Sequence, residues 1–145
     1  GSVTTLHAFT ADRSLGWETG DVVTVQLQFE AGMTATLHAI LHTPHFIRTH
    51  VFGSDMWVEI RNSTHPDTPG GKAAMKRYHS IEDVEIELFD WTDIVVANLE
   101  AFGAAIRTEK PYPYSDFELL HDIEVLDAII LSAETGEATH LNASP

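Results

Sequence analysis

The chain has no cysteine in its 145 residues. That excludes a disulfide framework and any thiolate metal site, and it favours a reducing compartment, so a cytoplasmic protein is expected. Cations are scarce too: 8 lysines and arginines stand against 22 aspartates and glutamates, a formal charge of −14. Such a chain repels phosphate backbones and cannot collect the counterion-release energy that drives nucleic-acid binding, so neither DNA nor RNA is expected as a partner. These residues contain no secretory h-region and no membrane-length apolar run, and no membrane partner is expected. A G-x-G-x-x-G is missing as well. Gly70-Gly71 follows no strand signal and lies among Pro, Ser and Thr, so a loop is expected there in place of a pyrophosphate cradle.

What the chain does have is strict alternation. Residues 22–30 place Val23, Val25, Leu27 and Phe29 on one side and Thr24, Gln26 and Gln28 on the other, the pattern of a half-buried strand. Residues 33–42 alternate likewise, with Met33, Ala35, Leu37, Ala39 and Leu41 opposed in phase to Thr34, Thr36 and His38. A two-residue loop would throw the two apolar rows onto opposite faces. A three-residue loop, Glu30-Ala31-Gly32 with Gly32 left-handed, pairs Phe29 with Met33, Leu27 with Ala35 and Val25 with Leu37, and is the loop expected. The remaining face, Thr24, Gln26, Gln28, Thr34, Thr36 and His38, is polar and neutral. Further strands are expected over 3–9, 46–52, 56–60 and 84–88, with 62–80 as the longest irregular connection.

The last third reads as two helices and a short strand. From Thr92, Ile94, Val95, Leu99, Phe102, Ala105 and Ile106 make one apolar stripe, and Lys110-Pro111-Tyr112-Pro113 stops the helix. Ser115 with Glu118 has the capping-box pattern. Phe117, Leu119, Ile123, Leu126, Ile130 and Ala133 are the expected core face of the second helix, which Gly136 ends before a strand at residues 139–141. Both helices are expected to back one side of the sheet.

Taken together, Leu99-Glu100-Ala101-Phe102-Gly103-Ala104-Ala105-Ile106, the Lys110–Pro113 turn and Ile129-Ile130-Leu131-Ser132-Ala133-Glu134-Thr135-Gly136 resemble the end of the Gfo/Idh/MocA oxidoreductases. The resemblance implies an α+β, two-layer domain with an open, mainly antiparallel mixed sheet and helices on one face, like the dihydrodipicolinate-reductase C-terminal domain. It further implies 3–145 as a substrate and oligomerisation domain, whose N-terminal Rossmann partner would hold NAD or NADP; Gly1-Ser2, standing where an initiator Met would, is independently expected to be a tag remnant. The parent would act on a CH–OH group of a sugar, cyclitol or related diol, and this part alone would not catalyse. The family's Asp-x-x-x-His pair does not occur here. Its Glu-Lys-Pro tripeptide does, at Glu109-Lys110-Pro111, but between the two helices, where a turn is the expected role.

No catalytic, cofactor or metal residue is therefore assigned. His38 and His42 lie roughly 13 Å apart along a strand, too far for one ion. Arg13, Trp17, His45 and Arg48 are the candidate contacts for a small polyhydroxylated substrate, since an aromatic face and a guanidinium suit such a ring. The face of Thr24, Gln26, Gln28, Thr34, Thr36 and His38 is the candidate homo-oligomer interface. The other reading is a stand-alone, non-enzymatic assembly module using that same face.

Overall fold

A computed structural model describes residues 1–142, and the chain divides into two units, residues 1–43 with 113 onward, and residues 44–112. The α+β class holds. In the first unit, β1 (Val3–Ala11), β2 (Val22–Phe29), β3 (Thr34–Ile40) and β8 (Thr139–His140) form a four-stranded sheet in the order β3-β2-β1-β8, covered by α2 (Asp116–Thr135). The second unit holds a sheet of β4 (Arg48–Phe52), β5 (Trp57–Asn62), β6 (Lys72–Tyr78) and β7 (Val84–Asp90) in sequential order, followed by α1 (Ile94–Ile106). Where one mixed sheet was expected, there are two, and every pairing among the described residues is antiparallel. Pro44, which has no amide proton to donate, falls at the division.

The β2–β3 hairpin has the expected register: Val25 pairs with Leu37, Leu27 with Ala35 and Thr24 with His38. Gly32 takes φ 83° and gives its N–H to the Phe29 carbonyl at 2.9 Å, while Phe29 donates to Met33 at 2.9 Å. A side chain in that backbone region would be strained. The core beneath is Val3, Leu6, Ala8, Val25 and Ala128, with Val23, Leu27, Phe29, Val125 and Ile129 packed around it. A bulge near Thr4 brings Val3 and Leu6, three residues apart, into that core together.

The second helix begins and ends as expected. Ser115 Oγ accepts from Glu118 N at 3.3 Å, Glu118 Oε2 accepts from Ser115 N at 2.8 Å, and Gly136 is left-handed at φ 73°. Its buried face differs from the expected one. Leu119, Ile123, Leu126 and Ile130 are exposed, whereas His121, Ala128 and Ser132 are buried with Val125 and Ile129 beside them. Two backbone groups of β1 explain the choice, because β8 is only two residues long and leaves donors on β1 unmet. Ser132 Oγ accepts from Ala8 N at 3.0 Å and donates to the Glu137 carbonyl at 2.6 Å; His121 Nε2 accepts from Val3 N at 3.0 Å. A buried strand donor without an acceptor costs more than an exposed leucine loses, so the polar and small residues face inward.

The first helix corrects its expected stripe as well. Asp93 caps it by accepting from Val95 N and Val96 N, yet none of its residues is buried, and Ile94, Leu99, Phe102 and Ile106 are all more than half exposed. Its sequence, IVVANLEAFGAAI, is apolar on every side, so period alone had no polar face with which to contrast a core face. The 62–80 stretch, expected to be irregular, contains β6; its Ala73-Ala74-Met75-Lys76 core has little strand propensity and is held by cross-strand neighbours on both sides.

Candidate functional site

Three surfaces bear on function. The first is the open face of the β1–β2–β3 sheet. Gln26, Gln28, Thr34, Thr36 and His38 are exposed and Thr24 partly so, and Thr24 Oγ1 shares a hydrogen bond with His38 Nδ1 at 3.2 Å. The register extends this face onto β1, with His7 beside Gln26 and Thr5 beside Gln28. The result is a broad neutral surface.

The second surface is the loop between β1 and β2, which carries Arg13 and Trp17. Asp21, only 2% exposed, organises it. Its carboxylate accepts from Arg13 N and Ser14 N at 2.8 Å each and from Leu15 N at 3.2 Å. Burial pushes its pKa up, but those three backbone donors outweigh burial and hold it below the ordinary carboxylate range. Gly20 closes the loop at φ 80°, where a Cβ would meet the Ala11 carbonyl oxygen at 2.8 Å. Trp17 stands 51% exposed on this rigid base.

The third surface is one face of β4–β7. Cross-strand pairing sets Arg48 opposite Arg61, His50 opposite Glu59 and Phe52 opposite Trp57, and it carries the same rows on to Ala74, Lys76 and Tyr78. Glu59 Oε2 lies 3.3 Å from His50 Nε2 and 3.7 Å from Arg48 Nε. The His50 hydrogen bond, opposed by burial and assisted by Arg48, lowers the Glu59 pKa. Arg48 also lies over the Phe46 ring at 5.3 Å, and Trp57 and Tyr78 stack at 3.7 Å with planes 2° apart. A cleft of about 510 Å³ opens here, lined by His45, Phe46, Glu59, Arg61, Lys72 and Lys76 among others.

Of the four expected substrate contacts, then, Arg13 and Trp17 share one loop, and His45 and Arg48 belong to the other unit beside the cleft. Glu59, Arg61, Lys76 and the Trp57–Tyr78 pair escaped sequence reasoning. Their signal was the alternation Trp57-Glu59-Arg61, and its partner strand lay in the stretch read as a loop. Among the described residues no three histidines, aspartates or glutamates gather as a metal set, and no helix is long and apolar enough to cross a membrane. At the helix N-termini, Asp93 accepts from Val95 N and Val96 N, and Ser115 and Glu118 form a reciprocal capping box.

No protein-family model matches the chain. Among curated proteins it is similar to D-xylose 1-dehydrogenase (NADP(+)) 2 of Haloferax volcanii, 30% identical over 116 residues, which is 80% of this chain and 35% of that enzyme. The chain thus spans about a third of the curated relative's length. Among solved structures it is similar to a provisionally assigned NADPH-dependent oxidoreductase from Desulfitobacterium hafniense, with TM-score 0.75, 16% identity, and coverage of 97% of this chain and 42% of the other. The WlbA dehydrogenase of Bordetella pertussis, solved with NADH and UDP-GlcNAcA, matches with TM-score 0.61 and 15% identity over 99% of this chain and 40% of its own. UDP-N-acetylglucosamine 3-dehydrogenase GnnA of Acidithiobacillus ferrooxidans matches with TM-score 0.69 and 16% identity over 92% and 41%.

Proposed function

We propose that the chain, which shares its fold with the matching parts of solved oxidoreductases and is similar to a D-xylose dehydrogenase, is a Gfo/Idh/MocA C-terminal domain, the substrate-side and oligomerisation domain of an NAD(P)-dependent sugar dehydrogenase. The observation that carries this reading is the coverage: nearly all of this chain superposes on less than half of a dehydrogenase. In the parent, hydride would pass between a carbinol carbon of a sugar, cyclitol or related diol and a nicotinamide held by a Rossmann domain in residues 5′ of these in the gene. NAD(P) supplies the hydride chemistry when bound there. This domain's own residues would position the substrate, the candidates being Arg13 and Trp17 on the Asp21-braced loop of the first unit or, separately, His45 and Arg48 beside the cleft of the second. The curated relative makes an aldose such as D-xylose, with NADP, the first substrate pair to assay.

Homo-oligomerisation through Thr24, Gln26, Gln28, Thr34, Thr36 and His38 belongs to the same reading. A broad, neutral, hydrogen-bonding strand face suits a second copy of itself. Calorimetry of the chain with NADP should give no tight binding, and the parent protein should reduce NADP with D-xylose or a related diol. Tight NADP binding by this chain alone would overturn the assignment. Substituting Gln26→Glu and Thr36→Glu should shift light scattering toward the monomer, and Trp17→Ala should raise KM of the parent with kcat little changed.

A further inference from the structure

Arg48 and Arg61 stand directly opposite each other across β4–β5. Like charges so placed destabilise an antiparallel pair, and local rules tend to be broken in this way where a surface is held for something else. Glu59 relieves only one of them, since it reaches Arg48 and His50. Among the described residues Arg61 has no hydrogen-bond or ion-pair partner, and neither has Lys76, which sits across β5–β6 from Glu59. Lys72 shares the face and is held by Asp90 at 3.5 Å. Four of the chain's 8 cations thus lie on one face of one sheet in a molecule of charge −14.

We propose that the cleft on this face binds the oxyanion of an acidic or phosphorylated sugar, with Arg48 and Arg61 as a two-guanidinium clamp and Lys76 as its third cation. A carboxylate or phosphate between the two guanidiniums turns their repulsion into charge-assisted, bidentate hydrogen bonds. Phe46 beneath Arg48 fixes that guanidinium in place. At about 510 Å³ the cleft is of ligand size, and its walls mix apolar Phe46, Ile47 and Leu88 with Glu59, Arg61, Lys72 and Lys76, while Arg48 follows the Ile47 wall without lining the cleft itself. Two strand rows from the arginines, roughly 13 Å along the sheet, Trp57 and Tyr78 stack face to face, so the platform they offer to the C–H face of a ring is the outer face of the stack and not a joint plane. Glu59, between platform and clamp, is placed to accept hydroxyl protons. The sugar part of the ligand rests on the proposed function, whereas the clamp rests on the arginine pair alone.

The test is isothermal titration of the 145-residue chain with D-glucuronate, D-glucose 6-phosphate and neutral D-glucose, for the parent sequence and for Arg61→Gln and Lys76→Gln. Binding of one or both acidic sugars, weakened at least tenfold by Arg61→Gln and not matched by glucose, is the expected result, and the tighter of the two names the oxyanion. Without ligand, Arg61→Gln should melt at the same temperature or higher, because it removes a like-charge contact. No binding of either acidic sugar, equal binding of glucose, undiminished binding by Arg61→Gln, or a lower melting temperature for that variant overturns the site. Failure here with NADP-dependent sugar oxidation intact in the parent leaves the proposed function standing. Anion binding without any such oxidation leaves the clamp standing and removes the dehydrogenase.

Discussion

The two sheets of this protein are built on opposite plans. The β3-β2-β1-β8 sheet owns a core: Leu6 and Val25 are essentially without solvent exposure, and α2 supplies the cover. The β4–β7 sheet has, among the described residues of its unit, no buried side chain at all; it is held by ladder hydrogen bonds, the Arg77–Glu87 and Arg48–Glu59 ion pairs and the Trp57–Tyr78 stack. Hydrophobic burial scales with area removed from water, while exposed ion pairs contribute little. Stability is therefore concentrated in the first unit, and the second presents functional groups on a sheet whose own packing is thin.

Mutation can break this contrast most directly at the cores. Leu6→Ala should cost about 2–5 kcal/mol in urea denaturation, and Ile86→Ala, on the exposed sheet at 63% exposure, about 0.5 kcal/mol or less. Equal costs would show that the second sheet is as well covered as the first. Next comes the polar part of the α2 interface. Ser132→Ala strands the Ala8 donor and should lower stability by about 1–3 kcal/mol, more than Leu131→Ala on the exposed side of the same helix. In the second unit, Thr108 ends α1 with φ 60°, a region that a β-branched residue occupies at a cost. Thr108→Gly should raise thermal stability slightly, by under about 1 kcal/mol; a loss would mean that the hydroxyl's contact with the Arg107 carbonyl outweighs the strain.

Acid distinguishes the units more finely. Asp21 in the first and Glu59 in the second both have folded pKa values below their ordinary 3.8 and 4.5. Each therefore adds stability that is fully present above the ordinary value and is lost as pH falls through the lowered folded one. Melting curves taken through that range should show Asp21→Asn and Glu59→Gln less acid-sensitive than the parent sequence. An unchanged acid limb for Asp21→Asn would mean that the loop holding Trp17 does not depend on the carboxylate.

Much of the first unit could be read directly from the residues, because period-two alternation and one glycine decide a hairpin. Only a three-residue loop with Gly32 left-handed keeps Val25 and Leu37 on one face. The capping box at Ser115 was equally plain. The buried face of α2 was not, since that helix carries leucines and isoleucines all round, and the deciding groups are strand donors at Val3 and Ala8 that only the assembled sheet presents. For the candidate site, Arg48 and His45 stood out beside Pro44. Arg61 and Lys76 did not, because a charged residue gains meaning only from its cross-strand neighbour, and β6 has the composition of a helix or a loop.

The brevity of β8 has a consequence in time. Thr139 and His140 close β1 on the side away from β2, and Ser132 and His121 meet the donors beside them, so β1 is finished by residues from the far end of the domain. Between Ala11 and Asp116 the whole second sheet is synthesised while that edge of β1 waits, its N–H groups bare to any passing strand. Contacts spanning so much of the chain slow folding. For this domain the hazard of mispairing therefore lies at β1 during synthesis, at a strand whose Val3 and Ala8 donors are met only once α2 has docked.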